Sequence, residues 1–323
     1  SGESMTPTRV VLVGGTGFVG SAIANRLSAA GVSVLVPTRR RSRAAHLLLL
    51  PTVEVVEADV HDPATLARLF AGADAVVNLV GVLHSPPGRP WGVAFERAHV
   101  ELPKRIVAAC DAAGVRQLVH VSALGADADG PSEYQRSKAA GEAAVRAARC
   151  AWTILRPSVI FGHGDSFLNL FAGLARIFPL LPLAGANARF QPVWVEDVAD
   201  VVWRSLTDPA AAGQTWELAG PHTYTLRELV RYVSTLVGHP RPVLALPEAL
   251  AMLQARLMEL APQPLMSRDN VRSMRVDNVA RGAPLPFGLE PTPLEAIAPL
   301  WLGKAGTRAQ LDPFRRNANR IGR

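Results

Sequence analysis

The sequence is poor in cysteine, and no long uninterrupted apolar segment occurs in its 323 residues. Its two cysteines, Cys110 and Cys150, lie in alanine-rich segments typical of helices. We therefore expect two buried thiols, no disulfide, and a reducing compartment. The most apolar segment, residues 167–185, is interrupted by Asn169, Arg176 and two prolines, so no transmembrane helix is predicted. No group of His, Cys, Asp and Glu has the spacing of metal ligands, and no metal is expected.

Aromatic residues are also scarce, at 6%, although the net charge is +7. A protein that binds nucleic acid commonly combines basic patches with aromatic side chains. Basic clusters occur only at residues 39–43 and 315–323, and aromatic residues do not alternate with them. Nucleic-acid binding is therefore not expected. An anionic ligand or an anionic membrane surface explains the charge as well. The four residues before Met5 are interpreted as an expression remnant. A cytoplasmic protein is expected, with peripheral binding at the inner face of the membrane as an alternative.

Glycine is concentrated at one predicted strand-to-helix turn. Residues 9–14 form an apolar, β-branched run that predicts a buried strand, and residues 18–31 have apolar side chains at helical spacing. Gly14, Gly17 and Gly20 occupy the turn between them. The first permits a sharp turn, the second a close approach of a pyrophosphate, and the third close packing of helix and strand. The sequence therefore predicts a dinucleotide site at the start of this helix.

The second strand of this βαβ unit indicates which dinucleotide is bound. It ends in Arg39 and Arg40, and no Asp or Glu occurs between Gly20 and Glu54. An acidic residue at this position would bind the ribose hydroxyls of NAD, whereas arginine suits the 2′-phosphate of NADP. NADP(H) is favoured over NAD(H), and a solvated basic loop is the alternative.

The following segments continue to alternate between strand and helix patterns. Strands are predicted at residues 53–60, 74–83, 115–126 and 151–162, separated by helices. This pattern predicts an α/β protein with a Rossmann-type, doubly wound parallel sheet, whose ligands lie at the carboxyl ends of the strands. The predicted strand ends carry the following candidate residues: Asp59, Val60, Leu79, Val80, Gly81, Ser122 and Pro157.

Tyr134 and Lys138 are the candidate catalytic pair. They are four residues apart on a predicted helix and so share one face. A neighbouring ammonium favours the phenolate and is expected to lower the tyrosine pKa, which would suit general acid–base chemistry. Tyr-x-x-x-Lys is a common spacing, and an ordinary surface helix is the alternative.

These motifs together resemble the extended short-chain dehydrogenase/reductase superfamily. The resemblance rests on GGTGFVG, ADVHD, NLVG, VSALGA, YQRSK and RPSVIFG, and on the later segments FQPVWVEDVADVV and TYTLRELVRYV. Within it, VSALGADADGPSEYQRSKAAGE and SRDNVRSMRVDNV are similar to the nucleotide-binding accessory subunits of respiratory complex I and their bacterial relatives. The resemblance implies a tightly held NADPH contacted by the following residues: Gly14, Thr16, Gly17, Phe18, Val19, Gly20, Arg39, Asp59, Val60, Tyr134 and Lys138.

One departure from that superfamily concerns the chemistry. Enzymes of the extended class carry serine or threonine after the fifth strand, and one hydroxyl contacts the substrate oxygen. Here Ser122 matches the start of that run, but Leu124 stands at the usual catalytic position. The principal expectation is an oxidoreductase acting on a carbonyl or quinone-like substrate, with Ser122, Tyr134 and Lys138 as catalytic residues. The alternatives are a non-catalytic NADPH-holding subunit of a membrane-associated complex and a sugar-nucleotide epimerase or dehydratase.

The predicted domains are residues 5–165, which bind the dinucleotide, and residues 166–323, a smaller substrate or partner lobe with a basic tail. A segment near residues 187–205 is expected to return to the first domain. The helix near residues 167–178 carries an apolar stripe, which we expect to face the core, with a lipid-facing surface as the alternative. His84 and His163 are interpreted as solvated or capping side chains, although His84 could replace the missing hydroxyl. The sequence leaves the oligomeric state open.

Overall fold

The β-branched runs of the N-terminal half form one parallel sheet in the computed structural model of the protein, which describes residues 6–303. The sheet has seven strands in the order β11-β6-β5-β4-β1-β2-β3, and every neighbouring pair is parallel. Its strands are β1 (Arg9–Val13), β2 (Ser33–Thr38), β3 (Val53–Glu57), β4 (Ala75–Asn78), β5 (Gln117–Val121), β6 (Ala151–Pro157) and β11 (Gln214–Leu218).

Helices cover both faces of this sheet, so the predicted doubly wound α/β architecture is confirmed. They are α1 (Phe18–Ala29), α2 (Pro63–Phe70), α4 (Leu102–Ala113), α5 (Glu133–Arg146) and α7 (Val195–Thr207). The short helix α3 (Val93–Phe95) precedes α4, and α6 (Phe167–Ile177) precedes α7. Apolar residues of α1 and α7 share one core with the sheet, and those of α2 and α4 share a second core on the opposite face. The first strand-to-helix turn therefore lies at the carboxyl edge of a sheet that is buried on both sides.

Local sequence rules account for several helix ends. Asp62 caps α2 by accepting the Ala64 N–H, with Pro63 at the first helical position. Gly31 has a φ of +78° just beyond α1, where a left-handed residue ends the helix. Glu196 and Asp197 lie in the first turn of α7, and Asp197 accepts hydrogen bonds from Thr292. Both carboxylates lie at the helix start, and Asp197 also holds the loop that carries Thr292.

Most strands are shorter than the sequence suggests. β4 ends at Asn78, because the Asn78 side chain accepts the Val80 N–H and turns the chain. The predicted sixth strand divides into β6 and β7 (Ile160–Phe161). The sequence analysis missed β11, which extends the sheet beyond β6 from outside the predicted returning segment.

The C-terminal half adds short strands and helices beside the carboxyl edge of the sheet. They are β8 (Leu181–Leu183), β9 (Arg189–Phe190), β10 (Val193–Trp194), β12 (Tyr224–Thr225), α8 (Leu226–Leu236), β13 (Val243–Ala245), α9 (Glu248–Met258), α10 (Arg268–Ser273), α11 (Leu294–Ile297) and α12 (Pro299–Leu302). A third apolar core joins α6, α8 and α11. Leu285 instead packs with the α1 and α7 core, so the chain crosses the predicted boundary more than once. The boundary at residue 165 stays a prediction.

The apolar stripe of α6 belongs to the core, as the sequence analysis favoured. Phe171 is buried, and Phe167 and Leu174 pack against the same cluster. Only the end of the stripe is exposed, at Ile177 and Phe178. Within residues 6–303, no helix has both the length and the apolar composition needed to cross a membrane. The basic tail lies outside the described residues.

Both cysteines are free thiols in this structure. Cys110 is fully buried in the α2 and α4 core, as predicted, whereas Cys150 is only partly buried. Their pKa values are raised by burial. Raised thiol pKa values disfavour the reactive thiolate, so neither cysteine is suited to nucleophilic chemistry.

Candidate functional site

The glycine turn after β1 has the shape that a pyrophosphate requires. Gly14 adopts a φ of +84°, and a Cβ atom there would lie 3.1 Å from the Val80 backbone nitrogen. A Cβ atom on Gly20 would lie 2.4 Å from Gly15 Cα, so α1 packs directly on the turn. Gly17 differs, because a Cβ atom there would meet nothing within 4 Å. Neighbouring protein atoms therefore leave no room for a side chain at Gly14 or Gly20, whereas the space beside Gly17 is open.

The amino end of α1 is free to bind an anion. Gly17 is its N-cap residue, and no side chain caps the helix and no acidic residue lies in its first turn. The first N–H groups of a helix carry partial positive charge. Thr16, Phe18 and Val19 are partly buried around this end. The arrangement fits the phosphates of a dinucleotide without a competing carboxylate.

Arg39, Arg40 and Asp59 lie on the rim formed by the ends of β2 and β3. Both arginines are exposed, and Arg39 Nη2 lies 3.9 Å from Asp59 Oδ1. The His61 N–H, which hydrogen-bonds Asp59, lowers the pKa of that carboxyl, and Arg39 lowers it further. Val60 is partly buried against the α2 side of the sheet. The structure thus brings together the residues that the sequence assigns to the adenosine end.

Tyr134 and Lys138 lie at the other end of the carboxyl edge, in the first two turns of α5. Lys138 Nζ lies 5.9 Å from the Tyr134 ring centroid, and a Cβ atom on Gly81 would lie 3.0 Å from Nζ. The pair therefore faces the chain that leaves β4. The candidate residues Leu79 and Val80 precede Gly81 there, and Gly14 approaches them from the glycine turn.

Burial controls the protonation of this pair. It raises the pKa of Tyr134 to about 12 and lowers that of Lys138 to about 8, with Glu142 opposing the second shift. The sequence analysis expected Lys138 to lower the tyrosine pKa, and in this structure that expectation is wrong. Desolvation of the phenol outweighs an ammonium that lies beside the ring. Near neutral pH the tyrosine is a proton donor.

Two hydrogen-bonded groups hold the start of α5. Ser132 and Gln135 form a capping box, and the buried Asp269 carboxylate of α10 accepts the backbone N–H groups of Glu133 at 2.8 Å and Tyr134 at 3.0 Å. Ser273 Oγ donates to Ser132 Oγ at 2.7 Å. A negative charge at a helix amino end is stabilising. The C-terminal helix α10 therefore fixes the position of Tyr134.

His99 holds α5 from the opposite side. It lies in a π-helical segment, Glu96–Glu101, between α3 and α4, and such segments are common at functional sites. Its Nε2 accepts the Val82 N–H at 3.0 Å, so Nδ1 donates to Ser137 Oγ at 2.9 Å. Ser137 in turn donates to the Tyr134 carbonyl. His99 thus joins the chain after β4 to the helix that carries the candidate pair.

The two histidines nearest Lys138 are neutral. Burial and the Lys138 charge lower the pKa of His99 to about 2 and that of His120 to about 3. His120 Nδ1 accepts from Asn78 Nδ2 at 3.2 Å. Near neutral pH both imidazoles are therefore uncharged, whereas Lys138, with a pKa of about 8, carries a positive charge.

Ser122 makes a different contact from the one its predicted role requires. Its hydroxyl donates to Glu142 Oε2 at 2.6 Å, and Arg156 also binds this fully buried carboxylate, at 2.7 Å. Leu124 is 6% exposed, and its carbonyl accepts from Asn278 Nδ2. Pro157 ends β6 beside it and accepts the Leu124 N–H. Residues 122–124 therefore contact α5 through Glu142 and the end of β6 through Pro157.

The remaining histidine candidates are His84 and His163. His84 is partly buried, its Nδ1 has no partner among the described residues, and burial lowers its pKa against the opposing charges of Asp269 and Glu259. His163 is exposed. Within residues 6–303, no cluster of three or more His, Cys, Asp or Glu side chains suits a metal ion.

Sequence reasoning missed His99, Glu142 and Asp269. His99 lies in a segment with an ordinary helical pattern, and the π-helical register that turns its ring inward leaves no trace in that pattern. Asp269 lies two residues after Ser267 in the motif SRDNVRSM, a sign of a helix start, but its partner Glu133 is 136 residues away. Glu142 is four residues beyond Lys138 on α5, and that spacing was the available signal.

Comparison with known proteins identifies the class to which this fold and site belong. A model of the NAD dependent epimerase/dehydratase family matches residues 10–219, and the chain belongs to this family. The fold is shared with a nucleoside-diphosphate-sugar epimerase from Staphylococcus aureus, with a TM-score of 0.72, 16% identity, and coverage of 92% of this chain and 100% of that one. It is also shared with the NAD-bound dTDP-glucose 4,6-dehydratase of Streptomyces venezuelae, with a TM-score of 0.65, 22% identity, and coverage of 83% and 96%.

Sequence relatives are of two kinds. The chain is 33% identical to the mitochondrial NADH dehydrogenase (ubiquinone) 1 alpha subcomplex subunit 9 of Mus musculus, covering 91% of this chain and 79% of that protein. It is 31% identical to the ceramide reductase of Caulobacter vibrioides, covering 74% of each. It is 30% identical to the (4-alkanoyl-5-oxo-2,5-dihydrofuran-3-yl)methyl phosphate reductase of Streptomyces griseus, covering 72% of this chain and 74% of that protein.

Proposed function

We propose that the protein is an NADP(H)-dependent reductase of a carbonyl group on a lipophilic substrate. The observation that carries this proposal is the Tyr134–Lys138 pair. Both side chains are held at the carboxyl edge of the sheet, and neither the phenol nor the ammonium has a hydrogen-bond partner among residues 6–303. Two relatives that the chain resembles over about three quarters of its length are named as reductases, one of ceramide and one of an alkanoyl compound.

Bound at the glycine turn, NADPH would supply a hydride. The residues that would hold it are the open N–H groups of α1 for the pyrophosphate, Arg39 and Arg40 for the 2′-phosphate, and Lys138 for the nicotinamide ribose. Gly17 leaves the space, and the first turn of α1 has no acid to repel it. The absence of an acidic residue at the end of β2 favours NADP(H) over NAD(H).

Tyr134 would donate a proton from its hydroxyl to the carbonyl oxygen as that oxygen gains negative charge. A phenol whose pKa is raised to about 12 is protonated at neutral pH, which suits reduction better than oxidation. The Lys138 ammonium would stabilise the phenolate that remains. Asp269 and His99 would hold the backbone of Tyr134 in place during this transfer, from α10 and from the π-helical segment.

A non-catalytic role has one specific observation in its favour. Leu124 replaces the expected hydroxyl, and the Ser122 hydroxyl is bound to Glu142. Loss of one donor to a developing oxyanion costs two to three orders of magnitude in rate. A subunit that holds NADPH for the stability of a membrane-associated complex would tolerate that loss. Sugar-nucleotide chemistry, the third alternative, needs the missing hydroxyl as well.

Turnover of the Tyr134→Phe variant decides between these functions. NADPH oxidation is measured with long-chain ketones and with quinones, in the wild type and in the variant. A catalytic tyrosine predicts that the variant loses at least about two orders of magnitude in kcat while it keeps its NADPH affinity. Wild-type protein that binds NADPH but reduces none of these substrates would support the non-catalytic role.

A further inference from the structure

Helix α9 has its small side chains buried and its leucines exposed. Ala251 and Ala255 are 1% and 0% exposed, and they pack with Ala184 and Val271. Leu250, Leu253 and Leu257 are 52%, 57% and 61% exposed. An ordinary surface helix of a soluble protein shows the reverse pattern, with its large apolar side chains turned toward the core.

The exposed leucines form one continuous face. Residues 250, 253 and 257 recur at helical spacing, and Leu260, 76% exposed, extends the row one turn past the end of α9. We call these four side chains the leucine face. The neighbouring ladder between β8 and β13 pairs Leu244 with Pro182, both exposed, and Gln254 Nε2 donates to the Pro182 carbonyl. The apolar surface therefore continues beyond the helix, and a patch of this kind marks an interaction site.

The charges around the leucine face suit an anionic surface. Both acidic residues near the helix are paired: Glu248 with Arg275, and Glu259 with Arg268 at 2.9 Å and Arg256 at 3.6 Å. Arg256 itself lies between Leu253 and Leu257 in the helix and is largely exposed. The whole chain has a net charge of +7, and residues 304–323 contribute six basic side chains against one acidic one. An exposed row of leucines with an arginine beside it and no unpaired carboxylate within residues 248–260 suits a surface of anionic lipid.

We propose that the leucine face docks the protein on the surface of an anionic lipid bilayer. Four leucines would enter the boundary between head groups and acyl chains, while Arg256 contacts lipid phosphates. The proposal goes beyond the proposed function and does not depend on it. It also replaces α6, whose apolar stripe lies in the core, as the membrane-facing element.

Docking here would bring the candidate active site toward the lipid. Arg268, at the start of α10, binds Glu259 at the end of α9. The next residue, Asp269, holds α5 and Tyr134, and Asn270 Nδ2 donates to the carbonyl of Leu83, which is 55% exposed. The membrane-facing helix is thus two hydrogen-bonded contacts away from Tyr134.

Co-sedimentation with lipid vesicles tests the proposal on the full chain. Vesicles of phosphatidylcholine alone and of phosphatidylcholine with phosphatidylglycerol are mixed with wild type and with the Leu253→Glu/Leu257→Glu variant. The wild type should pellet with the vesicles that contain phosphatidylglycerol. The variant should lose at least about tenfold in partitioning, because two leucines that would enter the bilayer are replaced by carboxylates.

The matched control is Leu49→Glu, which places one carboxylate on a leucine that is 88% exposed in the dinucleotide-binding half. It should pellet like the wild type, and all variants should keep the wild-type melting temperature and NADPH affinity. Failure of the wild type to pellet overturns the proposal, as does equal pelleting of the double variant. A wild-type dimer that the double variant converts to monomer, without vesicle binding, would instead assign the face to a second copy. NADPH affinity is measured separately, so failure of docking and failure of the proposed function are distinguishable.

Discussion

The Asp269 carboxylate accepts the backbone N–H of Tyr134 at 3.0 Å, across 135 residues of sequence. The contact joins a short C-terminal helix to the residue proposed as the proton donor. Catalytic groups must be held within a fraction of an ångström, and here one hydrogen bond from a distant segment does this.

Replacing Asp269 should damage catalysis more than cofactor binding. Asp269→Asn removes the charge and one of two acceptors, and we expect a loss of about 1–3 kcal/mol in the free energy of unfolding and a fall of about tenfold or more in kcat. NADPH affinity should stay near the wild-type value, because the glycine turn is remote. The control is Asp277→Asn, since exposed Asp277 also accepts a backbone N–H, from Arg189. Equal loss of kcat in both variants would show a general loss of stability.

Acid should destabilise the protein through His99 and His120. Their pKa values are lowered to about 2 and about 3, below the value of 6.5 for the unfolded chain. Between pH 6.5 and about 3 the unfolded state therefore binds protons that the folded state does not, and stability falls as the pH falls. Each histidine contributes about 1.4 kcal/mol per pH unit in this window. Urea unfolding at a series of pH values measures the slope.

His99→Gln provides the specific check on this pH dependence. Glutamine can still accept from Val82 and donate to Ser137, but it does not titrate. The slope of the unfolding free energy against pH should fall by the equivalent of about one bound proton. An unchanged slope in His99→Gln would contradict the assignment of a neutral, buried imidazole.

Arg39 should determine the preference for NADPH. Calorimetric titration of the wild type should give a lower Kd for NADPH than for NADH by about tenfold or more, because a guanidinium pairs with the 2′-phosphate. Arg39→Glu should abolish or reverse that preference. Arg43→Glu, in the same exposed basic cluster, should leave it intact. Tighter binding of NADH by the wild type would refute the NADP assignment.

The two glycines of the turn should respond differently to added side chains. Gly17→Val should prevent NADPH binding and leave the melting temperature nearly unchanged, because the position is open and its φ of −80° suits valine. Gly20→Ala should lower the free energy of unfolding by about 1–3 kcal/mol or more, since its Cβ would lie 2.4 Å from Gly15 Cα. Normal NADPH binding by Gly17→Val would show that the dinucleotide lies elsewhere.

Local patterns sufficed for the dinucleotide half of the fold. The apolar run after Thr8 and the helical spacing after Gly17 depend on neighbouring residues, and β1 and α1 formed within the predicted segments. The burial of Tyr134 was not predictable in this way. It depends on π-helical His99 and on Asp269, which come from two distant parts of the chain. A pattern of neighbouring residues cannot predict contacts between segments that are far apart in the sequence.

The lateral position of β11 has a consequence for synthesis of the chain. β11 pairs with β6 along its whole length, and α7, which precedes it, covers α1. During translation the sheet therefore has an open edge at β6 until residue 218 has emerged from the ribosome. A fragment ending near residue 165 would keep that edge and an uncovered apolar face, and it would be prone to aggregate. Fusion or truncation at the apparent boundary would thus interrupt the sheet, and a cut after Leu218 would spare it.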